Sequence, residues 1–146
     1  MKVSTRVEYG LIAMTDIVIY GGNGESVSAP DIAHRENISH KYLEQILHLL
    51  RQAGFIIAQK GNRGGYALAC PADEICVSDV LNALDNTILA GLDEEGDDSG
   101  LRSVINDCFW EKINNNLIEY TKNLKLSEFA NQCKNSIPSK WDLYVI

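Results

Sequence analysis

Ile38-Ser39-His40-Lys41-Tyr42-Leu43-Glu44-Gln45-Ile46-Leu47-His48-Leu49-Leu50-Arg51-Gln52-Ala53-Gly54 has the period of one helix with two unlike faces. Leu43, Ile46, Leu47 and Leu50 recur at helical spacing and form one apolar stripe, with Ser39 as a natural N-cap and Gly54 as the stop. The other face carries His40, Lys41, Glu44, Gln45, His48, Arg51 and Gln52, side chains that can meet phosphate or the edge of a base. A solvated amphipathic helix would show the same pattern, so the flanking sequence has to choose between the two readings.

Upstream, Val3, Val7, Leu11, Met14 and Val18 predict a first helix from Val3 to Tyr20, closed by Gly21-Gly22-Asn23-Gly24. Lys2, Ser4, Thr5, Arg6 and Tyr9 put donors near its N-terminus, where free backbone N–H groups favour an anion; ordinary surface polarity accounts for them equally well. Ser28-Ala29-Pro30-Asp31-Ile32-Ala33 opens a short second helix that ends near Asn37. Two helices joined by so tight a turn form a helix-turn-helix candidate, with the helix after Ser39 in the recognition position.

Downstream, Phe55-Ile56-Ile57-Ala58-Gln59 and Tyr66-Ala67-Leu68-Ala69 are β-prone and flank the turn Gly61-Asn62-Arg63-Gly64-Gly65. A hairpin directly after a recognition helix is a wing, and Lys60, Asn62 and Arg63 at its tip would reach the DNA backbone or minor groove. The turn lacks the spacing and the lysine of a nucleotide-phosphate loop and joins two strands, which argues against that reading.

After Cys70-Pro71 a helix is expected from Val77 to Leu84, with Ser78 and Asp79 serving its N-terminus, packed beneath the wing. Residues 86–100 lose periodicity and carry Asp93, Glu94, Glu95, Asp97 and Asp98, the composition of an acidic loop; these carboxylates match a calcium loop poorly. Leu101, Val104, Ile105, Cys108, Ile113, Leu117, Tyr120 and Leu124 then mark a helix of about 24 residues, ~36 Å long. That exceeds what a small winged domain needs, so part of the stripe, Leu101, Ile105, Ile113, Leu117, Tyr120 and Leu124 above all, is expected to be buried against a second copy. One more helix starts at Leu126, and Trp141-Asp142-Leu143-Tyr144-Val145-Ile146 follows Pro138 as a tail that either covers its own dimer or docks on a partner. The expected fold is mainly α with a small β-hairpin wing: a winged helix-turn-helix over 1–84, an acidic loop over 85–100, a dimerisation unit over 101–136 and a tail over 137–146.

Composition sets the outer limits. The 146 residues, 45% hydrophobic, suffice for one sizeable core with an appendage. The net charge of -7 is unevenly spread: residues 1–66 hold seven Lys/Arg against six Asp/Glu and all three histidines, and residues 67–146 hold six against fourteen. A locally basic front and an acidic back are compatible with DNA at one end and another partner at the other. Without a run of about 18 apolar residues, and with Lys2, Arg6 and Glu8 where a signal peptide would be apolar, a cytoplasmic location is expected. Cys70, Cys76, Cys108 and Cys133 lack metal-motif spacing and read as free thiols. No nucleophile-base arrangement, metal cluster or phosphate loop suggests an enzyme.

Three motifs in order, Met1-Lys2-Val3-Ser4-Thr5-Arg6-Val7-Glu8-Tyr9-Gly10-Leu11, Ile38-Ser39-His40-Lys41-Tyr42-Leu43-Glu44-Gln45 and Gly61-Asn62-Arg63-Gly64-Gly65-Tyr66-Ala67-Leu68, resemble the Rrf2 family of bacterial winged-helix regulators. The resemblance implies that Ser39, His40, Lys41, Tyr42 and Gln45 face the major groove, that Asn62 and Arg63 are wing contacts, that Lys2, Ser4 and Arg6 meet phosphate, and that the long helix makes a homodimer. Many members sense iron, nitric oxide or redox state through an iron-sulfur cluster held by three cysteines before the long helix. This chain offers only Cys108 there, so no cofactor is expected, and Cys108 stays a candidate redox thiol. The departure, with the ending Tyr144-Val145-Ile146, looks more like the cluster-free, CymR-type branch that represses cysteine metabolism. Members of that branch act with O-acetylserine thiol-lyase, which the resemblance makes a candidate partner for the tail.

Overall fold

The computed structural model describes residues 3–22, 24–61, 64–91 and 100–138. Three helices build the front of the molecule: α1 (Thr5–Tyr20), α2 (Ala29–Glu36) and α3 (His40–Gln52). Each starts on a serine whose hydroxyl accepts a first-turn N–H: Ser4 from Val7 at 3.3 Å, Ser28 from Asp31 at 3.2 Å and Ser39 from Tyr42 at 3.2 Å. The first helix therefore begins at Thr5, and Val3, expected inside it, lies before the cap and is exposed. Asn37 takes the left-handed conformation (φ 53°) that lets α2 stop and α3 start within a few residues, and Gly54 does the same (φ 86°) after α3.

The apolar stripe of α3 is fully inside: Leu43, Ile46, Leu47 and Leu50 are at most 1% exposed and pack with Met14 and Ile17 of α1 and Ile32 of α2. Each such side chain contributes about 1.5–3 kcal/mol by leaving water, which fixes which face of α3 is left outside. The wing follows as an antiparallel pair, β1 (Ile56–Gln59) and β2 (Gly65–Leu68), in register Ile56 to Leu68 and Gln59 to Gly65. A third extended segment was not evident in the sequence: Val27 exchanges two 2.8 Å backbone hydrogen bonds with Tyr66 and roots the wing in the chain before α2. Gly65 permits that approach, since a Cβ there would sit 2.4 Å from the Val27 carbonyl oxygen.

The helix expected over Val77 to Leu84 is α4 (Val77–Leu84), with two corrections. Cys76 is its N-cap and neither Ser78 nor Asp79 caps it by a side-chain bond. It packs on α1 and α3 rather than beneath the wing, because Val77, Val80, Leu81 and Leu84 form its apolar face and the wing buries little besides Ile56 and Ala67. The long helix is present over 101–123 in three parts: α5 (Leu101–Ile105), a π-helical turn (Asn106–Trp110) and α6 (Glu111–Asn123), which also packs on α4. The Glu111 N–H reaches back five residues to the Asn106 carbonyl, a wider turn that keeps Cys108 and Ile113, five apart, nearer one face than a regular α-helix would. Leu124 is extended and lies just past the helix end.

The last helix, α7 (Leu126–Ser136), returns to the front half: it packs on α1, and Leu126 is wholly buried in the common core. Backbone bonds from Val77 to Leu124 and from Leu126 to Ile75, 2.9 and 2.8 Å, stitch α7 to the start of α4. The spans 1–84 and 101–136 thus share one core. The centre of the acidic loop and the tail from residue 139 lie outside the described residues.

Candidate nucleic-acid interface

With its stripe buried, α3 presents Ser39, His40, Lys41, Glu44, Gln45, His48, Arg51 and Gln52 to solvent. His40 and Glu44, one turn apart, approach to 3.4 Å between Nε2 and Oε1, which draws Glu44 toward the N-terminal end of the helix. Tyr42 is not simply groove-side: it is half-buried, and its ring meets that of Tyr9 edge-on at 5.8 Å between centroids. This contact, which the sequence reading missed, sets α3 against α1.

Arg6 on the exposed side of α1 joins Tyr42, Glu44, Gln45 and His48 around a concavity of about 680 Å³. The structure thus brings one candidate phosphate contact and two candidate groove contacts to the same surface. Ser4 is half-buried and spends its hydroxyl oxygen on the α1 cap, as Ser39 does on α3, so each satisfies a first-turn backbone N–H at its helix start. Lys2, Asn62 and Arg63 lie outside the described residues. Near the wing turn, Lys60 is exposed and the Gly64 N–H closes on the Gly61 carbonyl at 2.9 Å.

The helix pair is held at its far end by ions. Arg35 donates from Nε and Nη2 to both oxygens of Asp16, at 3.0 and 2.9 Å, and lies 4.0 Å from the centroid of the Tyr20 ring. The hydrogen bond to Asp16 holds Arg35 above its ordinary pKa. The Asp16 side chain is fully buried, so this bidentate pair locks α2, and with it the turn into α3, onto α1. Burial, then the neighbouring Asp16, pushes the Glu36 carboxyl up to about 7. The only signal in the sequence was a carboxylate inside the apolar run Ala13-Met14-Thr15-Asp16-Ile17-Val18, which demands a cation.

Away from this concavity, apolar surface stands uncovered. Leu101 (74% exposed), Ile105, Ile113 and Tyr120 stand open to solvent together with Val104, Phe109 and Trp110, while Leu117 and Leu124 are half-buried. A groove of about 530 Å³ runs along α1, bounded by Leu117 and Tyr120 of α6 and Phe129 and Ile137 at the other wall. The side chains of Cys70, Cys76, Cys108 and Cys133 are free thiols, and Cys108 alone is exposed. No three His, Cys, Asp or Glu side chains gather as a ligand set among the described residues. Residues 92–99 contain neither Cys nor His, and among the described residues the thiol and imidazole donors an iron-sulfur cluster needs are not brought together. No helix among the described residues is long and apolar enough to cross a membrane.

Comparison with known proteins bears on this surface. Residues 3–132 match the Rrf2 family model, described as an iron-dependent transcriptional regulator. The HTH-type transcriptional regulator IscR of Cereibacter sphaeroides is 35% identical over 133 residues, 88% of this chain and 86% of that protein. Among solved structures, CymR (YrzC), the global cysteine regulator of B. subtilis, is 29% identical with a TM-score of 0.77, covering 90% of this chain and 98% of that one. T. potens IscR is 31% identical with a TM-score of 0.75, covering 99% and 97%.

Proposed function

Because the chain belongs to the Rrf2 family of transcriptional regulators, we propose that it acts in the cytoplasm as a homodimeric repressor, reads a palindromic operator, and answers to cysteine or sulfur supply. The observation that carries the DNA-binding part is the outer face of α3, polar over its whole length, fixed against the core by its other face and flanked by Arg6. Lys41, Arg6, Lys2 and the wing residues Asn62 and Arg63 supply backbone contacts, and Gln45 and His40 read base edges. Ser39 and Ser4 act through the helix starts they cap, and Tyr42 through its contact with Tyr9.

The dimer is proposed from two unfinished surfaces on one chain: the exposed stripe of Leu101, Ile105 and Ile113, continued by Leu117, Tyr120 and Leu124, and the apolar groove along α1. A second copy related by a two-fold axis would cover both, and it would set two α3 helices one turn of DNA, ~34 Å, apart. The cysteine response rests on the likeness to CymR of B. subtilis and on the missing cluster donors. In that reading Tyr144-Val145-Ile146 offers a terminal carboxylate beside a branched side chain to O-acetylserine thiol-lyase.

A thiol- or iron-sensing regulator is the second reading, favoured by the IscR relatives and by the exposed thiol of Cys108. Footprinting on genomic fragments enriched by the purified protein tests DNA recognition: a two-fold symmetric site supports the first reading. Calorimetry with the thiol-lyase, using full-length protein and a variant lacking Ile146, tests the partner; equal heats from both exclude tail docking. A brown protein with matching iron and sulfide after anaerobic purification would replace the cysteine reading with the second.

A further inference from the structure

We propose that the hollow between α4 and α6 binds a small zwitterion of the α-amino-acid class. Its volume is about 420 Å³, within the range of small-molecule sites, roughly 300–1,000 Å³. Five polar side chains face it: Ser78, Asp79, Asn82 and Asn86 from α4 and the turn after it, and Lys122 from α6. None of the five makes a side-chain hydrogen bond or ion pair with another described residue. A carboxylate and an ammonium therefore line one cavity without neutralising each other.

Solvation explains exposed Asp79 and Lys122, and the first turn of α4 gives Asp79 an ordinary electrostatic reason to be there. Neither reason covers Ser78. That residue is 7% exposed, and its hydroxyl, which no described residue partners, is not sealed from solvent and so stays available to a ligand in the hollow. A ligand carboxylate received by the Ser78 hydroxyl and the Lys122 ammonium, near the N-terminus of α4, satisfies all three. The ligand ammonium then meets Asp79. A simple anion or a simple amine would leave one of the two charges unmet. Asn82 and Asn86 can each donate and accept toward the ligand side chain, above an apolar floor of Leu89 and Ile118.

The hollow joins two working parts. Its α4 wall packs on α3, and its α6 wall belongs to the helix that carries the exposed stripe. A ligand that prefers one arrangement of these walls biases the spacing of the two α3 helices. This consequence rests on the proposed function; the binding itself does not.

Calorimetry and thermal melting of the full chain without DNA, with each proteinogenic L-amino acid and with the N-acetyl and methyl-ester forms of any that binds, test the site. At least one amino acid is expected to bind once per chain, and both blocked forms to fail. Asp79→Asn and Lys122→Met, both at exposed positions, should each weaken binding ~tenfold or more while lowering the unliganded melting temperature by no more than a few degrees. No saturable binding by any amino acid, or failure of either substitution to weaken it, overturns the assignment. Because no DNA is present, the result is independent of whether the chain binds an operator.

Discussion

Helix α3 and the stretch from Leu101 to Ile113 are both amphipathic, yet only the first buries its apolar face within the chain. In α3 the apolar face is buried and the polar face is free; in 101–113 Leu101, Val104, Ile105, Phe109, Trp110 and Ile113 are all exposed. The first has the physics of a reading head: rigid, and polar where it meets solvent. The second has the physics of half an interface, because so much contiguous apolar surface is unusual on a finished monomer. On the proposed dimer, the contrast predicts that substitutions in one face alter the fold and substitutions in the other alter only assembly.

Ile113→Asp gives the largest expected effect. The side chain is 41% exposed in the single chain, so folding of that chain should be unaffected. In the dimer it places one carboxylate per chain in an apolar seam at ~2 kcal/mol or more each, an operator-affinity loss of roughly 1,000-fold. Sedimentation and gel shifts would record this, and a normal dimer with normal affinity would break the comparison on the assembly side. Arg35→Met should act on the other side, by leaving buried Asp16 unpaired. A stability loss of about 3 kcal/mol in urea melts is expected, with the unfolding slope retained.

Two smaller effects sharpen the picture. Gln45→Ala should cost about 1–3 kcal/mol on the preferred operator and less on scrambled DNA, with no change in stability, since the residue is exposed. Unchanged preference would remove Gln45 from the reading surface. Glu36 concerns pH: its carboxyl is protonated up to about 7 when folded but ionises near 4.5 otherwise. The folded state therefore holds the extra proton between these values, and stability falls as pH rises through that window. Glu36→Gln in the Ile113→Asp background should leave stability unchanged at pH 4 and raise it by about 1 kcal/mol at pH 8. Parallel pH profiles for the two proteins would contradict the environment assigned to Glu36.

What was legible in the sequence followed from local rules. Serine caps gave α2 and α3 within a residue or two and stripe spacing gave α4, because cap chemistry and burial of Leu43 or Val80 are decided within one turn. The Gly-rich turn gave the hairpin. Long-range partners were not legible: nothing near Val27 announces its bridge to Tyr66, and nothing near Tyr9 announces Tyr42. The packing of α4 was misjudged because its apolar face does not say which neighbour it meets. The π turn was visible only as the five-residue step from Cys108 to Ile113, and the helical period carried the reading past it. For the candidate site, α3 was legible as a polar face capped by Ser39, but not that Ser4, read as a phosphate contact, commits its hydroxyl to the α1 cap.

The account turns on two copies of this chain reading one symmetric site through α3. Sedimentation velocity of the protein on its footprinted operator fragment, at increasing protein and in parallel with the Ile113→Asp variant, measures that directly. Two chains per palindrome are expected for the parent, bound together with no single-chain species at partial saturation, and little or no complex for the variant. A stable complex of one chain per palindrome, or an Ile113→Asp protein that still binds in pairs, would contradict it.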